Sequence, residues 1–591
     1  MKQNLQYLSL FLVAWGALAA CSTAKRQAEK VVSTTPAPYV LTPDSINRVS
    51  LDMCFHIPAH YMSGRSRLFI TPQLVKGDTV QDEYFPLVVD APIYSKKMER
   101  QKILDAYNDP YEEVAVKLNS VSRSFSLPYK NRLQLPENLD EGRVVAVISS
   151  DGCGECSGID TIDVAAISNP VTLMPDVKEV LQLTWIEPQF VVRPKIREGK
   201  GVAHLQFVIN KSDINLSMGN NQEELEQMLH TLGPILEDSL ATVTSLTIAG
   251  MASADGSFAF NTTLARNRAA SARQWLINQL GIRPEVQQLI SISSRPEGWE
   301  PVLAAMTADG NPDSVAVKKI LEEYNIGNDD VQEYHIRRLS CWNKIKSSYL
   351  QKDRKVEYVY TYTMKSFTTD AELLDMYRKR PDAFNEEELL RVATLVDSPD
   401  GKKEVYQVIL KYFPQSQIAA NNLAVLYLRE GNSAKALETL AVLAEHSPEV
   451  LNTLAVGYVY ADNYEKAIEL LQDVELPEAR YNLGLIKAKK RCLGEAYELL
   501  RPFADLNSAI AALSINKNTE AKSILAGVKD DRPVAEYVRS LTAARLEEHS
   551  SFYRHIGNAC TDDRLLKRAA TEPDFYRYHK EDTFRRLINK R

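Results

Sequence analysis

The chain has 591 residues, of which 25% are charged and 45% are hydrophobic, and its formal net charge is −7. This length predicts about three or four domains. Because the charge is only mildly negative and no basic patch is interleaved with aromatic residues, the composition argues against a nucleic-acid partner. The cysteines number only seven, which excludes a disulfide-dense scaffold.

The first residues have the pattern of a secretory signal. Lys2 precedes an apolar run that is too short for a membrane-spanning helix and that ends in small residues. Leu-Ala-Ala-Cys at residues 18–21 resembles a bacterial lipobox, which implies a signal peptide over residues 1–20 and acylation of Cys21. Several acyl chains, at roughly 0.8 kcal/mol per buried methylene, anchor a protein stably. An ordinary cleaved signal with an incidental Cys21 is the alternative.

Residues 21–46 contain Ser, Thr, Pro and charged residues without periodicity, which predicts a flexible tether. The residues directly after Cys21 are polar and basic, whereas surface-displayed lipoproteins of Bacteroidota-type bacteria usually carry acidic residues there. We therefore expect a lipid anchor in the outer membrane, with the body facing the periplasm.

Short strand-like runs separated by Pro and Gly predict an all-β sandwich over residues 47–190. These runs are residues 67–75, 84–94, 143–150 and 160–167. The segment includes "FHIPAHYMSGRSRLFITPQL", "DAPIYSKK" and "SSDGCGEC". In these stretches it resembles an uncharacterised N-terminal domain of Bacteroidota-type outer-membrane lipoproteins. Members of that group typically precede an OmpA-like domain, and several are encoded beside fimbrial subunit genes.

Cys153 and Cys156 form a C-x-x-C pair within this segment. A redox pair normally opens a helix whose N-terminus lowers the thiol pKa, but the residues that follow here predict a turn and a strand. A zinc site needs two more ligands, and Cys54, His56 and His60 lack a standard spacing for that role. In an oxidising envelope we expect a local disulfide, or paired thiols, that tightens a turn. Redox and metal roles stay as alternatives.

The middle of the chain alternates strand and helix patterns. The predicted strands are 204–210, with Leu205, Phe207 and Ile209 on one face, then 245–250 and 354–363. The predicted helices are 221–236 and a second one that ends at Gly281. This order predicts an α+β domain, a sheet covered by helices on one face. An additional helical face with Trp299, Val302, Leu303 and Met306 lengthens the stretch before the last strand.

Six residues of this domain stand at the offsets of a family pattern: Gly250, Gly256, Asn261, Leu264, Arg268 and Ala269. With "DRKVE" at 353–357, they resemble the OmpA-like peptidoglycan-binding domain over about residues 201–365. The resemblance implies binding of the diaminopimelate in the wall stem peptide, where an Arg holds the carboxylate and an Asp holds the ammonium. Arg268 matches the Arg and Asn261 the family's Asn. The Asp falls on Ser253, and Asp255 is the substitute two residues later.

Small residues recur in pairs twelve positions apart in the last third of the chain. The pairs are Ala424 and Ala436, Ala455 and Ala467, Gly484 and Ala496, and Ala509 and Ala521. Stretches such as "NTLAVGYVYADNYEKAIELL" resemble tetratricopeptide repeats, and Pro414 and Pro448 are separated by that family's period of 34 residues. The resemblance implies an all-α helical repeat solenoid over residues 387–530. Residues 531–591 end in basic and aromatic residues and predict a helical tail that is solvated or docks a partner.

No nucleophile elbow, phosphate loop, H-E-x-x-H or dinucleotide fingerprint occurs in the sequence, so we expect neither an enzyme nor a cofactor. The leading hypothesis is a lipoprotein that links the outer membrane to peptidoglycan. Its helical repeats would recruit envelope proteins, for example in fimbrial or secretion assembly. The alternative is a pure assembly scaffold whose OmpA-like domain no longer binds the wall. A thiol-disulfide enzyme that uses Cys153 and Cys156 is a third hypothesis.

Overall fold

A computed structural model describes residues 31–37, 39–104, 107–137, 139, 142–152, 160–296, 298–324, 329–350 and 355–589. Cys21 and the pair Cys153 and Cys156 lie outside these described residues. The chain divides into two compact units. The first unit combines the chain up to Ile186 with the chain from Ala424 onward, and the second is Glu187–Leu423. Within the described part, no helix has the length and apolarity needed to cross a membrane.

The first unit starts with a β-rich part that confirms the predicted sandwich. Its strands are β1 (Ser33–Thr35), β2 (Tyr39–Leu41), β3 (Arg48–Ile57), β4 (Arg67–Lys76), β5 (Thr79–Glu83), β6 (Leu87–Asp90), β7 (Val116–Lys117), β8 (Phe125–Gln134), β9 (Arg143–Asp151) and β10 (Asp160–Ile167). One helix, α1 (Pro92–Leu104), follows β6. One sheet has the order β1-β3-β8, and the other has the order β2-β10-β9-β4-β6-β7, with β5 paired to β4.

Alternation along the strands explains how the two sheets pack. Every second residue of β3, from Val49 to Ile57, is buried in one core. Leu68 and Ile70 of β4 and Val144 of β9 enter the same core from the other sheet. This arrangement is the one expected when each strand turns one face inward. The strands β1 and β2 lie within the stretch that the sequence indicated as tether.

After β10 the chain continues as a short 3₁₀ helix (Pro170–Leu173) and the single-turn helix α2 (Val177–Val180), and the second unit then begins. Its elements are β11 (Lys195–Ala203), α3 (Asn221–Glu237), β12 (Ala241–Ala252), α4 (Phe258–Leu280), α5 (Pro284–Gln287), β13 (Ile290–Pro296), α6 (Trp299–Ala308), α7 (Ser314–Glu323), α8 (Asp329–Ile336), α9 (Trp342–Ser348) and β14 (Val356–Met364). We call β11–β14 with α3 and α4 the sheet domain, and α6–α9 the helical insertion.

The sheet domain has the strand order β11-β14-β12-β13. The strands β12 and β13 are parallel, and the other pairs are antiparallel. Leu225 and Met228 of α3 and Ala269 and Leu276 of α4 share a core with the sheet, which confirms the predicted cover of helices. Gly281 ends α4 in the left-handed conformation, with φ 57°.

The first strand of this domain differs from its prediction. Residues 204–210 were expected as the strand, but β11 ends at Ala203 and Ile209 is 66% exposed. In the register of β11 and β14, Gly201 lies opposite Tyr358 and Gly199 opposite Tyr360. A Cβ at either glycine would collide with the tyrosine ring. Tyrosine rings therefore fill the space that the glycines leave, and the weak strand preference of glycine hides the strand in the sequence.

Helices complete the chain. They are α10 (Asp370–Lys379), α11 (Glu386–Leu395), α12 (Pro399–Tyr412), α13 (Gln417–Arg429), α14 (Ser433–Leu440), α15 (Pro448–Tyr460), α16 (Tyr464–Leu471), α17 (Pro477–Lys489), α18 (Leu493–Leu500), α19 (Leu506–Ser514), α20 (Asn518–Gly527), α21 (Pro533–Arg545), α22 (His549–Ala559), α23 (Asp563–Thr571) and α24 (Asp582–Ile588). Ala455, Ala467, Ala509 and Ala521 are buried, as small residues at close helix contacts should be.

The end of the chain packs against the repeats. Phe552, Phe575, Tyr578 and Phe584 are buried together, and they share one core with the repeats that precede them. The rings of Phe552 and Tyr578 stack with centroids 3.8 Å apart. Charged residues at the surface of this segment hid the apolar face that holds it in place.

Candidate functional site

The residues that the sequence singled out in the sheet domain surround the loop between β12 and α4. We call residues 251–257, with the side chains of Asn261 and Arg268, the loop site. A Cβ at Gly250 would collide with the Ala265 carbonyl of α4, so glycine permits the close approach of strand and helix. Gly256 has φ +108°, a conformation that other residues rarely adopt. Both glycines therefore shape the loop.

Asn261 organises this loop from the first turns of α4. Its Nδ2 donates to the carbonyl oxygens of Ser253 (3.0 Å), Asp255 (3.2 Å) and Gly256 (3.0 Å). The side chain is only 4% exposed. Three carbonyls around one amide hold the loop in a single shape, so Asn261 has a positioning role.

Ser253 and Asp255 lie side by side in the loop. The Ser253 hydroxyl donates to the Asp255 carboxylate. Ser253 is 6% exposed, whereas Asp255 is partly exposed. Of the two residues proposed to receive an ammonium, only the acid is therefore open to solvent.

Arg268 lies beneath the loop. Its Nη1 donates to the Met251 carbonyl (3.0 Å), and its guanidinium carbon lies 4.7 Å from the centroid of the Phe207 ring. The residue is 1% exposed. A ligand carboxylate can reach this guanidinium only after covering residues move.

The helical insertion packs on the loop and on the start of α4. Ala254 of the loop belongs to the core of the insertion, together with Trp299, Val302 and Ile345. Glu333 of α8 accepts a hydrogen bond from the Gly256 N–H (2.6 Å). Asp330 accepts one from the Phe258 N–H (2.7 Å), the first residue of α4.

These two carboxylates occupy the positive end of α4. Free N–H groups and the helix dipole favour anions at a helix start. Burial raises the pKa of Glu333 above its ordinary value, while the Gly256 N–H and the Arg337 guanidinium (2.6 Å) oppose that shift. The nearby carboxylates of Asp255 and Asp330 add to it. The start of α4, where an external anion would bind, is therefore already occupied by two carboxyl groups of the same chain.

The structure thus places Ser253, Asp255, Asn261 and Arg268 around one loop. Sequence reasoning missed Glu333 and Asp330, which lie more than seventy residues further along the chain. They belong to no motif, and the only available signal was the unusual length of the stretch that contains them. Chemically, the carboxyl groups and the guanidinium of this site can bind charged groups, and the Asn261 amide fixes the shape of the loop.

The strand β3 carries two of the candidate metal ligands that the sequence indicates, Cys54 and His56. His56 is hydrogen-bonded to Thr35 Oγ1 (2.7 Å) and Ser126 Oγ (2.8 Å) on neighbouring strands. Cys54 is a half-buried free thiol on the same strand. Among the residues that the structure describes, no group of three or more His, Cys, Asp or Glu is arranged for a metal ion.

A cleft of about 950 Å³ in the first unit separates β-sheet residues from the repeats. Its charged groups pair across short distances, for example Arg143 with Asp163 (2.8 Å) and Lys490 with Glu137 (3.0 Å). Such mixed, paired charges favour no ligand class.

Among known proteins, no family model and no curated sequence matches this chain.

Proposed function

We propose that this protein is a non-enzymatic scaffold of the outer membrane, anchored by an acylated Cys21 and facing the periplasm. In this proposal the OmpA-like domain is closed against the wall by its own insertion. The observation that carries it is the cover over the loop site: Arg268 is 1% exposed, and Glu333 and Asp330 take the N–H groups at the start of α4. An anionic ligand has to displace both carboxylates before it binds.

A second candidate is the wall linker that the sequence indicates. Its support is the clustering of Ser253, Asp255, Asn261 and Arg268 around one loop. Binding of diaminopimelate through Arg268 and Asp255 requires the insertion to open, and the energy of opening lowers the affinity. The two candidates therefore differ in whether opening occurs in the presence of peptidoglycan.

Co-sedimentation with purified sacculi distinguishes the candidates. The full chain without residues 1–21 is compared with its Arg268→Ala, Asp255→Ala and Ser253→Asp variants. The scaffold proposal expects the wild type and Arg268→Ala to sediment equally little. Strong sedimentation of the wild type that falls about ten- to a hundredfold in Arg268→Ala supports the linker, because a ligand carboxylate then loses its charged partner. Tighter binding by Ser253→Asp would point the same way.

Membrane anchoring is tested separately with Cys21→Ser. The proposal expects the variant in soluble fractions and the wild type in the outer membrane at high salt. A variant that still floats with membranes would contradict acylation at Cys21. The role of the repeats in recruiting fimbrial or secretion proteins is a further part of the proposal, and one face of the repeats bears directly on it.

A further inference from the structure

The chain segment of residues 170–185 runs along the helical repeats of the first unit. We call it the strap. Val171 packs with Ala488 and Ala496, and Leu173 and Val177 enter the main core of the repeats. The strap thus contacts the first helices of successive helix pairs, α21, α19 and α17, in reverse chain order.

Hydrogen bonds to the backbone of Gln182 hold the strap against the repeats. The Gln182 N–H donates to Oδ1 of Asn482 (2.7 Å), and Nδ2 of Asn482 donates to the Gln182 carbonyl (2.8 Å). One side-chain amide therefore satisfies both backbone groups of a residue, as a neighbouring strand does in a sheet. Neither of these hydrogen bonds involves the side chain of Gln182.

A second asparagine repeats the contact one helix pair earlier. Nδ2 of Asn452 donates to the Gln182 carbonyl (3.0 Å) and to Thr184 Oγ1 (2.7 Å). Its Oδ1 accepts from Asn482 (2.9 Å), 30 residues further along. Asn452 on α15 and Asn482 on α17 are both 0% exposed, and we call them the asparagine face.

Side chains hold the strap on either side of Gln182. Lys178 pairs with Asp462 (2.7 Å), and the Tyr460 hydroxyl donates to the Lys178 carbonyl (2.8 Å). At the other end, the Arg429 guanidinium lies 5.8 Å from the centroid of the Trp185 ring. The bound segment is therefore a helical turn that carries the cation Lys178, followed by an extended stretch that carries the ring of Trp185.

A buried amide without partners is costly, so the two asparagines favour a bound chain over a bare apolar surface. We propose that the asparagine face is a binding site for an extended peptide, and that the strap is its resident ligand. The strap closes this face to other peptides. A protein that engages the repeats here must present an extended segment of similar pattern and displace the strap. This inference is independent of whether the loop site binds peptidoglycan.

The test uses the full chain without residues 1–21 and a labelled peptide of residues 176–187, DVKEVLQLTWIE. A variant with Lys178→Ser, Gln182→Pro and Trp185→Ser loses the ion pair, the central amide donor and the ring of the strap. We expect the peptide to bind this variant at least about tenfold more tightly than the wild type. Gln182→Ala is the matched control, which keeps the backbone groups and should behave like the wild type.

A peptide carrying the same Gln182→Pro change provides the second control and should bind poorly. Equal binding of the parent peptide to the wild type and the triple variant would overturn the proposal. The same holds if the variant keeps its helical circular dichroism but binds nothing, or if the proline peptide binds as well as the parent.

Hydrogen exchange covers the case in which the triple variant does not fold. In Asn482→Ala, the Gln182 amide should exchange at least about tenfold faster than in the wild type, because its acceptor is gone. Unchanged exchange at Gln182 in this variant would also overturn the proposal.

Discussion

The loop site and the asparagine face are both filled by the chain that carries them, but the occupants differ in kind. Carboxylates of Glu333 and Asp330 cover the loop site, whereas neutral amides bind the strap. The carboxyl group of Glu333, whose pKa burial raises, responds to pH and to nearby charge, whereas amides do not titrate. Closure of the loop site should therefore change with pH. Closure of the asparagine face depends instead on hydrogen bonds to the backbone of the strap.

The two closures also differ in what lies behind them. The loop site has a separate core of its own in the helical insertion, around Trp299. The strap shares its core with the repeats, because Leu173 and Val177 belong to the same cluster as Leu485 and Tyr537. We therefore expect the loop site to open by movement of the insertion alone. Opening the asparagine face should cost core contacts of the first unit, because the strap belongs to that core.

The largest expected effect comes from breaking the insertion. Trp299 is fully buried, so Trp299→Ala should cost about 3–5 kcal/mol through lost burial and a cavity. Loss of the cover should speed hydrogen exchange at the Gly256 amide. Trp299→Phe is the matched control: Nε1 makes no hydrogen bond in the described structure, so the loss should be smaller. Equal exchange of the Gly256 amide in the wild type, Trp299→Ala and Trp299→Phe would show that the insertion does not cover the loop site.

A somewhat smaller effect is expected at the asparagine face. Asn482→Ala leaves both backbone groups of Gln182 without this partner and should lower the free energy of unfolding by about 2–4 kcal/mol. Urea unfolding followed by circular dichroism measures it. Gln182→Ala should stay within about 0.5 kcal/mol of the wild type. A similar loss in both variants would mean that the side chain of Gln182, and not its backbone, is recognised.

The pH dependence should separate the two regions. Burial raises the pKa of Glu333 in the closed site, so the closed form holds its proton more tightly than the open form. Closure is therefore strongest below the ordinary pKa of a glutamate and weakens as the pH rises through the raised value. Exchange at Gly256, corrected for intrinsic rates, should follow this trend, and exchange at Gln182 should not.

Glu333→Gln sharpens the same comparison. The amide oxygen of Gln can still accept from the Gly256 N–H, so closure should persist while its pH dependence disappears. A pH response of Gly256 that survives in this variant would assign the effect to another group.

The smallest effect is expected for Ser253→Ala. This change removes one hydroxyl that donates to Asp255 and should cost about 0.5–1.5 kcal/mol. Thermal unfolding of the full chain measures it, with Ser291→Ala on the exposed side of β13 as the control. A loss several times larger would mean that Ser253 does more than orient Asp255.

Much of this architecture was predictable, because it follows from local patterns. Asn261 and Arg268 are seven residues apart, two helical turns, so the sequence places both on the side of α4 that faces the loop. The small residues of the repeats predicted their helix pairs for the same reason. The strand β11 was not predictable from its own residues, since Gly199 and Gly201 depend on rings that lie on β14.

The occupants of both regions escaped prediction because they come from distant parts of the chain. Glu333 meets Gly256 across 77 positions, and Asn482 meets Gln182 across 300. No local periodicity encodes such a meeting. An asparagine two residues before a small residue, as at Asn482 before Gly484 and Asn507 before Ala509, was the one visible hint of a chain-binding face.

The strap belongs to a unit that is assembled from two separate segments of the chain, and this has a consequence for dividing the protein into two polypeptides. Because the first unit is built from the chain up to Ile186 and the chain from Ala424 onward, we expect a nick in a loop of the second unit to leave the two pieces associated through the first unit. The two pieces should work as a split protein that reassembles from separate transcripts.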